Sequence, residues 1–307
     1  MVVDQLSEAL DLVKIRGVVS GGFAARGRWV ARAAVEDDLK LTAMVYGRSR
    51  LLTDGLDTPV VLESGDVAIL NNRSWLELEG GAGDGARPEI RLEENFSRLV
   101  GADRHNDDVV LGISVDLDPA GRALLLRGLP PLGRIRASAA APPQLRGNLD
   151  RLFDEVSGNH IGSAFAIRQY GQLLLLDILR AYVDQTELPA GWLRLLTDER
   201  LRPALDLMHT DPGHRWGLQD LAGAAAMSRT SFAEHFRAVA GQPPLTYLNR
   251  WRMLLAQRAL RDDDVRVGKL AIKLGYASES AFSTAFKREI GESPLQFRHR
   301  AHHDRPR

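Results

Sequence analysis

The chain has 307 residues, 44% of them hydrophobic and 26% charged, with equal numbers of basic and acidic side chains. That profile fits folded globular domains, excludes a disordered or fibrous chain, and leaves room for two domains. Cysteine is absent from the sequence, which excludes disulfides, zinc–thiolate centres and a cysteine nucleophile.

The opening stretch, MVVDQLSEALDLVKIRG, carries acids early and lacks an apolar core of signal-peptide length. The apolar run LLLLDIL at 173–179 is far short of the ~20 residues that cross a bilayer. A cytoplasmic protein with no membrane partner is expected. From residue 1 to about 137 the sequence predicts mainly β-structure. LKLTAMVYG (39–47), TPVVLESGDVAILNN (58–72), SWLELEG (74–80) and DVVLGISVDLD (108–118) are β-rich runs broken by glycine, asparagine and aspartate turns. Many short strands of this kind predict a small barrel or sandwich.

After APPQLRG (141–147) the periodicity changes and predicts two helices, roughly 144–157 and 163–186. Leu173, Leu176, Leu179 and Val183 recur at helical spacing on the second. Such a stripe serves either packing within the chain or a homodimer interface, and the spacing does not choose between them. From about residue 195 the chain reads as short helices. Thr197 or Asp198 is placed to cap the first, and DPGHRWG (211–217) separates it from a helix near 218–225. Ser228 caps the next, which Gly241 ends. QPP opens a long helix to about Arg261, DDD at 262–264 breaks it, and a short–long pair returns at 267–274 and 278–290 before Pro294 opens a last helix.

That pair is a repeat. Leu221-Ala222 matches Leu270-Ala271 at an offset of 49, and from Ser228 onward the offset is 50. Phe232 and Phe236 match Phe282 and Phe286, Arg237 matches Lys287, Gly241 matches Gly291, and Tyr247 matches Phe297. Each copy has the layout of a helix-turn-helix. A generic pair of amphipathic helices explains one copy but not two in phase. Residues 215–300 hold 14 basic and 8 acidic side chains, a surplus of 14 − 8 = 6 positive charges, which suits a polyanion partner.

Helical spacing puts Thr230, Ala233, Glu234 and Arg237 on one face of the first long helix, and Ser280, Ser283, Thr284 and Lys287 on the matching face of the second. Short polar side chains there suit the donors, acceptors and thymine methyls of major-groove base edges. Arg237 and Lys287 are better placed for phosphates, and Arg229 and Arg288 complete the candidate DNA-binding set. The helix 244–261 spans about 27 Å at ~1.5 Å per residue, comparable with the ~34 Å between successive groove entries on one face of DNA. One protomer is thus expected to read two adjacent turns of double-stranded DNA.

SRTSFAEHF, GQPPLTYLNRWRMLLAQRAL and KLAIKLGYASESAFSTAFKREIGESPLQFR resemble the AraC/XylS-type transcription regulators over roughly residues 200–300. Gly275-Tyr276 and Pro294…Phe297-Arg298 are the most specific marks. The resemblance implies seven helices, two helix-turn-helix units and a linker helix on asymmetric DNA sites, with RNA polymerase as a possible partner. LESGDVAILNNRSWLEL (62–78) and VVLGISVDL…LLLRGLPPLGRI (109–135) resemble the cupin-like regulatory domain of one branch of that family.

A cupin metal site needs several histidines and a carboxylate, yet His105 is the one histidine in residues 1–150, and Asn71, Asn72, Arg73, Ser74 and Trp75 stand where ligands would lie. No metal, no cofactor and no catalysis are therefore expected. A small organic effector is expected instead, with Trp29, Tyr46, Arg73 and Trp75 as candidate pocket residues, acting through the 144–186 helices on the population of DNA-competent states.

The expected fold class is α+β: a cupin-like β-barrel (1–140), a helical linker pair for possible dimerisation (141–195), an all-α domain with two helix-turn-helix units (196–300) and a disordered tail (301–307). The competing readings are a cupin-type metal-dependent enzyme with an accessory helical domain, and a nonspecific DNA binder.

Overall fold

The computed structural model describes residues 5–12, 15–82, 86–91, 99–117, 119–137, 143–158, 160–185, 187–262 and 264–303. They form two compact units, and the division is not linear in sequence. One unit takes residues 15–117 and 129–187; the other takes the described parts of 1–14, 118–128 and 188–307.

The first unit is built on two five-stranded sheets. Its strands are β1 (Ile15–Ala25), β2 (Trp29–Ala34), β3 (Leu39–Tyr46), β4 (Arg48–Thr53), β5 (Val60–Glu63), β6 (Val67–Asn71), β7 (Trp75–Gly80), β8 (Glu89–Arg91), β9 (Asp108–Leu117) and β10 (Leu132–Ile135). The orders are β1-β9-β3-β6-β10 and β5-β4-β7-β2-β8, antiparallel throughout except β2 with β8. Phe23, Met44, Leu70 and Val110 of the first sheet meet Trp29, Leu51, Leu62 and Leu78 of the second in one apolar core, the arrangement of a sandwich whose inner faces interdigitate.

The outer faces differ because their sequences differ. β4 alternates exposed and buried residues, and its polar face joins a charged surface: Arg50 pairs with Glu79 at 3.0 Å, Arg32 with Glu77 at 2.6 Å and Arg48 with Glu63 at 3.0 Å. Such exposed pairs contribute little to stability, but they keep a sheet face wet. In contrast β6 is buried at every position and β3 at all but one, so their sheet needs a second cover. Helices α3 (Pro143–Gly158) and α4 (Ser163–Gln185) supply it, with α4 against β1 and β10 and α3 against β3. Leu149, Leu152 and Phe153 of α3 and Leu174, Ile178, Leu179 and Tyr182 of α4 are buried. The leucine stripe read from sequence therefore divides: Leu179 packs inside, whereas Leu173 faces solvent.

Two side chains tie this unit together. Asp66, in the Gly-Asp turn between β5 and β6, is buried. Its Oδ2 accepts from the Glu63 amide and from Arg134 Nε on β10, both at 3.0 Å, and its Oδ1 accepts from the Ala137 amide at 2.8 Å. Tyr46 at the end of β3 donates its hydroxyl proton to Asp150 of α3 at 2.7 Å. Burial, reinforced by that hydrogen bond, pushes the phenol up to about 12.

The second unit is helical. It contains α1 (Gln5–Leu12), α2 (Pro119–Leu125) with a 3-10 turn to Gly128, α5 (Trp192–Thr197), α6 (Arg202–Thr210), α7 (Leu218–Ala224), α8 (Arg229–Ala240), α9 (Pro244–Asp262), α10 (Val267–Lys273), α11 (Glu279–Ile290) and α12 (Pro294–His303). Three expectations change. Within the first 137 residues, which are mainly β-structure as expected, the helices α1 and α2 belong to the helical unit and not to the expected 1–140 domain. Asp198 is the C-cap of α5 and not the N-cap of α6, which is Leu201. It starts a turn in which its Oδ1 accepts from the Arg200 and Leu201 amides, at 3.1 and 3.0 Å, one turn before α6. The expected disordered tail is helical through His303, because Ala301 packs on the core of the second repeat copy; residues 304–307 lie outside the described set.

Asp66→Ala removes the buried acceptor for Arg134 and for the Glu63 and Ala137 amides, and the expected loss is about 2–3 kcal/mol in urea unfolding. Tyr46 has a raised pKa in the folded state, so its contribution is fully present below pH ~10 and is lost as pH rises from ~10 through about 12. A spectrophotometric titration should show a late tyrosine that disappears in Tyr46→Phe.

Candidate nucleic-acid interface

Both repeat copies close their short helix in the same way. After α7, the Ala226 amide donates to Gly223 O at 3.0 Å and the Met227 amide to Ala222 O at 2.9 Å. After α10, the Gly275 amide donates to Ile272 O at 3.0 Å and the Tyr276 amide to Ala271 O at 2.9 Å. This is the Schellman pattern, which places one residue in the left-handed region. That residue is Gly275 at φ 79° in the second copy, where glycine adopts it without cost, and Ala226 at φ 52° in the first, where Cβ opposes it.

The longer helices then start and stop alike. Ser228 Oγ accepts from the Ser231 amide at 3.2 Å, and Ser278 Oγ accepts from the Ala281 amide at 3.1 Å. Gly241 and Gly291, at φ 70° and 93°, end α8 and α11, their amides donating to Arg237 O and Lys287 O. Phe232 and Phe236 are buried with ring centroids 5.7 Å apart, as are Phe282 and Phe286. Each pair continues onto the helix that follows, Phe236 against Tyr247 at 5.7 Å and Phe286 against Phe297 at 5.6 Å.

Burying the phenylalanines leaves the opposite faces outward. Arg229, Thr230, Glu234 and Arg237 on α8 are exposed, with Ala233 half-buried between them; Ser280, Thr284, Lys287 and Arg288 on α11 are exposed, with Ser283 half-buried. Among the described residues none of the five basic or acidic side chains in this set enters an ion pair with another residue. His235 of α8 turns elsewhere, its Nε2 lying 2.8 Å from Asp198 Oδ2.

Helix α9 joins the copies. Trp251 stacks on His209 of α6 at 3.8 Å, and the His209 ring bonds the Tyr247 hydroxyl at 2.8 Å. Met253, Ala256 and Leu260 lie in the core of the second copy. Two arginines that the sequence pattern does not single out brace this helix. Arg252 donates to Pro212 O at 2.6 Å and His214 O at 2.8 Å, and burial pushes its pKa down from the ordinary value. Arg250 donates to Gln242, just after α8, and to Glu289 of α11 at 3.2 Å. A chain of single cations on a helix gives no sequence signal for such contacts. The strained turn at Ala226 was readable, because it aligns with Gly275 at the offset of 49.

The expected effector residues do not converge. Trp29 is a core side chain, edge-on to Phe23 at 5.1 Å, with its indole N–H donated to Asp108 at 2.7 Å. Trp75 lies at the other end of the β2/β7 ladder, since Trp29 pairs with Gly80 and Ala34 with Trp75. Arg73 donates to Asp54 O at 2.9 Å, and Tyr46 packs on Phe153 of α3. A pocket lined by all four is therefore corrected to four separate structural roles. The donor set also does not fit a metal: buried Asn71 donates its amide to Leu129 O at 2.8 Å, and no cluster of three or more His, Cys, Asp or Glu suited to an ion occurs among the described residues.

Known proteins share both parts. Residues 4–184 match the family model described as Cupin, and residues 221–300 match the one described as Helix-turn-helix domain. A putative AraC-like transcription regulator of Streptomyces antibioticus is 33% identical over 96% of this chain and 98% of its own length. The regulator AlkR of Acinetobacter baylyi is 26% identical over 96% of this chain and 99% of its own. Among solved structures, the DNA-binding domain of AdpA in complex with a target DNA is 31% identical, covers 36% of this chain and 99% of that one, and has a TM-score of 0.34. A cupin domain joined to a duplicated helix-turn-helix defines a DNA-binding transcription regulator. This chain belongs to the AraC-like transcription regulators.

At Gly275 a Cβ would lie 2.2 Å from Gly213 O, on top of the left-handed φ, whereas at Gly291 it would meet nothing within 4 Å. Gly275→Ala should cost about 3 kcal/mol and Gly291→Ala about 1 kcal/mol in chemical unfolding. Ala226→Gly relieves the first turn and should be neutral to stabilising by about 0.5–1 kcal/mol.

Proposed function

We propose that α8 and α11 enter successive major grooves of one DNA duplex, and that the protein regulates transcription in response to a small organic effector sensed by its cupin-like unit. The observation that carries the DNA reading is the repeated frame of Schellman turn, serine cap, buried phenylalanine pair and glycine stop. It leaves one matching polar face outward in each copy. In this reading Thr230, Ala233, Glu234, Ser280, Ser283 and Thr284 face base edges, and Arg229, Arg237, Lys287 and Arg288 take phosphates. Helix α9, 19 residues and hence about 28 Å long, sets the separation.

The cupin-like unit acts as a sensor and not as an enzyme, in keeping with a donor set that suits no metal. RNA polymerase is the further partner expected of such a regulator. The protein is cytoplasmic; among the described residues no helix is long and apolar enough to cross a membrane. A homodimer through α4 is favoured by Phe165 and Leu173, which the fold of this unit leaves exposed.

The test uses a duplex selected from random sequence by the full-length protein. Arg237→Ala and Lys287→Ala should weaken binding to all duplexes alike and lower the log–log salt slope by about one for each phosphate no longer neutralised. Substitutions at Thr230, Glu234, Ser280 or Thr284 should shift preference at single base pairs by about 1–3 kcal/mol. If a repeated selection returns the wild-type site for these variants, the assignment of faces is wrong. Equal affinity for random competitor DNA would point to a nonspecific binder.

A further inference from the structure

Within the helical unit, a cavity of about 350 Å³ opens where α2 and α5 meet the middle of α9, close to the C-terminal ends of α8 and α11. Its size is at the lower end of the ~300–1,000 Å³ typical of small-molecule sites. Leu124, Trp192, Trp251, Leu254 and Ile290 give it apolar walls. Arg127, Arg250 and Glu289 are its charged lining residues, a balance of 2 − 1 = 1 positive charge.

Arg250 marks this cavity as a receptor for an acceptor group. Its guanidinium is shared between Gln242 and Glu289, and both partners of the ion pair are about 40% exposed. A pair so open to water is weak. A carboxylate that enters from the cavity can take the guanidinium in a two-pronged hydrogen bond, which is a stronger arrangement. The tryptophan walls favour a flat ring beside that carboxylate.

We propose that this cavity binds a compact aromatic carboxylate, whose acid group replaces Glu289 on Arg250. The consequence is regulatory. Arg250 links the end of α8 to α11, so its capture by a ligand releases one tie between the two helix-turn-helix units. Binding and DNA affinity are then linked, since a ligand that prefers the released arrangement changes the population of the other. The linkage rests on the proposal that α8 and α11 enter DNA; the binding site does not.

The probes are 2-naphthoate and its neutral counterpart 2-naphthalenemethanol, titrated calorimetrically into the full-length protein without DNA. Naphthoate should bind saturably with one-to-one stoichiometry, and the alcohol about tenfold or more weakly, the value of a charge-assisted hydrogen bond. Arg250→Gln should weaken naphthoate by a similar factor. Glu289→Gln removes the competitor and should tighten it. No saturable binding, equal binding of acid and alcohol, or indifference to Arg250→Gln overturns the site. Where Arg250→Gln does not fold, the exposed Glu289→Gln decides: tighter binding supports the site, and unchanged binding overturns it.

In a second arm, naphthoate should shift the affinity for the selected duplex about fivefold or more, and Glu289→Gln should reproduce that shift without ligand. Naphthoate binding with unchanged DNA affinity overturns the linkage alone. Failure of the unliganded protein to prefer any duplex overturns the reading of α8 and α11 and leaves the cavity standing.

Discussion

Helix α9 is the constraint on which the DNA-binding unit depends. Its early residues Tyr247 and Trp251 belong to the packing around Phe236 and His209, and its later residues Met253, Ala256 and Leu260 belong to the core around Phe282 and Phe286. Two helix-turn-helix copies on a flexible tether would each bind DNA with an independent loss of orientational freedom. On a shared, buried rod their relative placement is set before DNA arrives, which is the physical meaning of preorganisation. Arg250 and Arg252 refine that placement from the same helix, one toward α8 and α11, the other toward the loop that precedes α7.

The two copies are not equivalent, and the difference lies in the turns. Gly275 comes close to Gly213 and sits beside Arg252, so the second turn is fused to the loop before the first copy. Ala226 holds the same backbone bonds in the first copy with a side chain that disfavours them. The left-handed residue of that turn thus carries strain in the first copy that glycine removes in the second.

The cupin-like unit shows how a sheet chooses its cover. The face carrying Arg32, Arg50, Glu77 and Glu79 stays in water, while the sheet of β3 and β6, apolar on both sides, draws α3 and α4 onto itself. Its interior is filled by Phe23, Trp29 and Met44. The cavity of the helical unit is bounded instead by residues of α2, α5, α9 and the ends of α8 and α11.

The sequence alone determined the local geometry of the helical repeat. Serine caps, glycine stops and the spacing of Phe232, Phe236, Phe282 and Phe286 are short-range features, and each acts within a few residues of where it is written. It likewise determined which faces of α8 and α11 point outward, because helical periodicity fixes one face once the other is buried. Tertiary structure alone decided the rest. Whether Trp29 lines a pocket or fills a core depends on what stands opposite it in the other sheet. Whether Leu173 and Leu179 share an interface depends on where α3 lies. The recruitment of α1 and α2 into the helical unit and the bracing by Arg250 arise from contacts between residues far apart in the chain. Those contacts have no period and no local signature, so nothing short of the folded chain could select them.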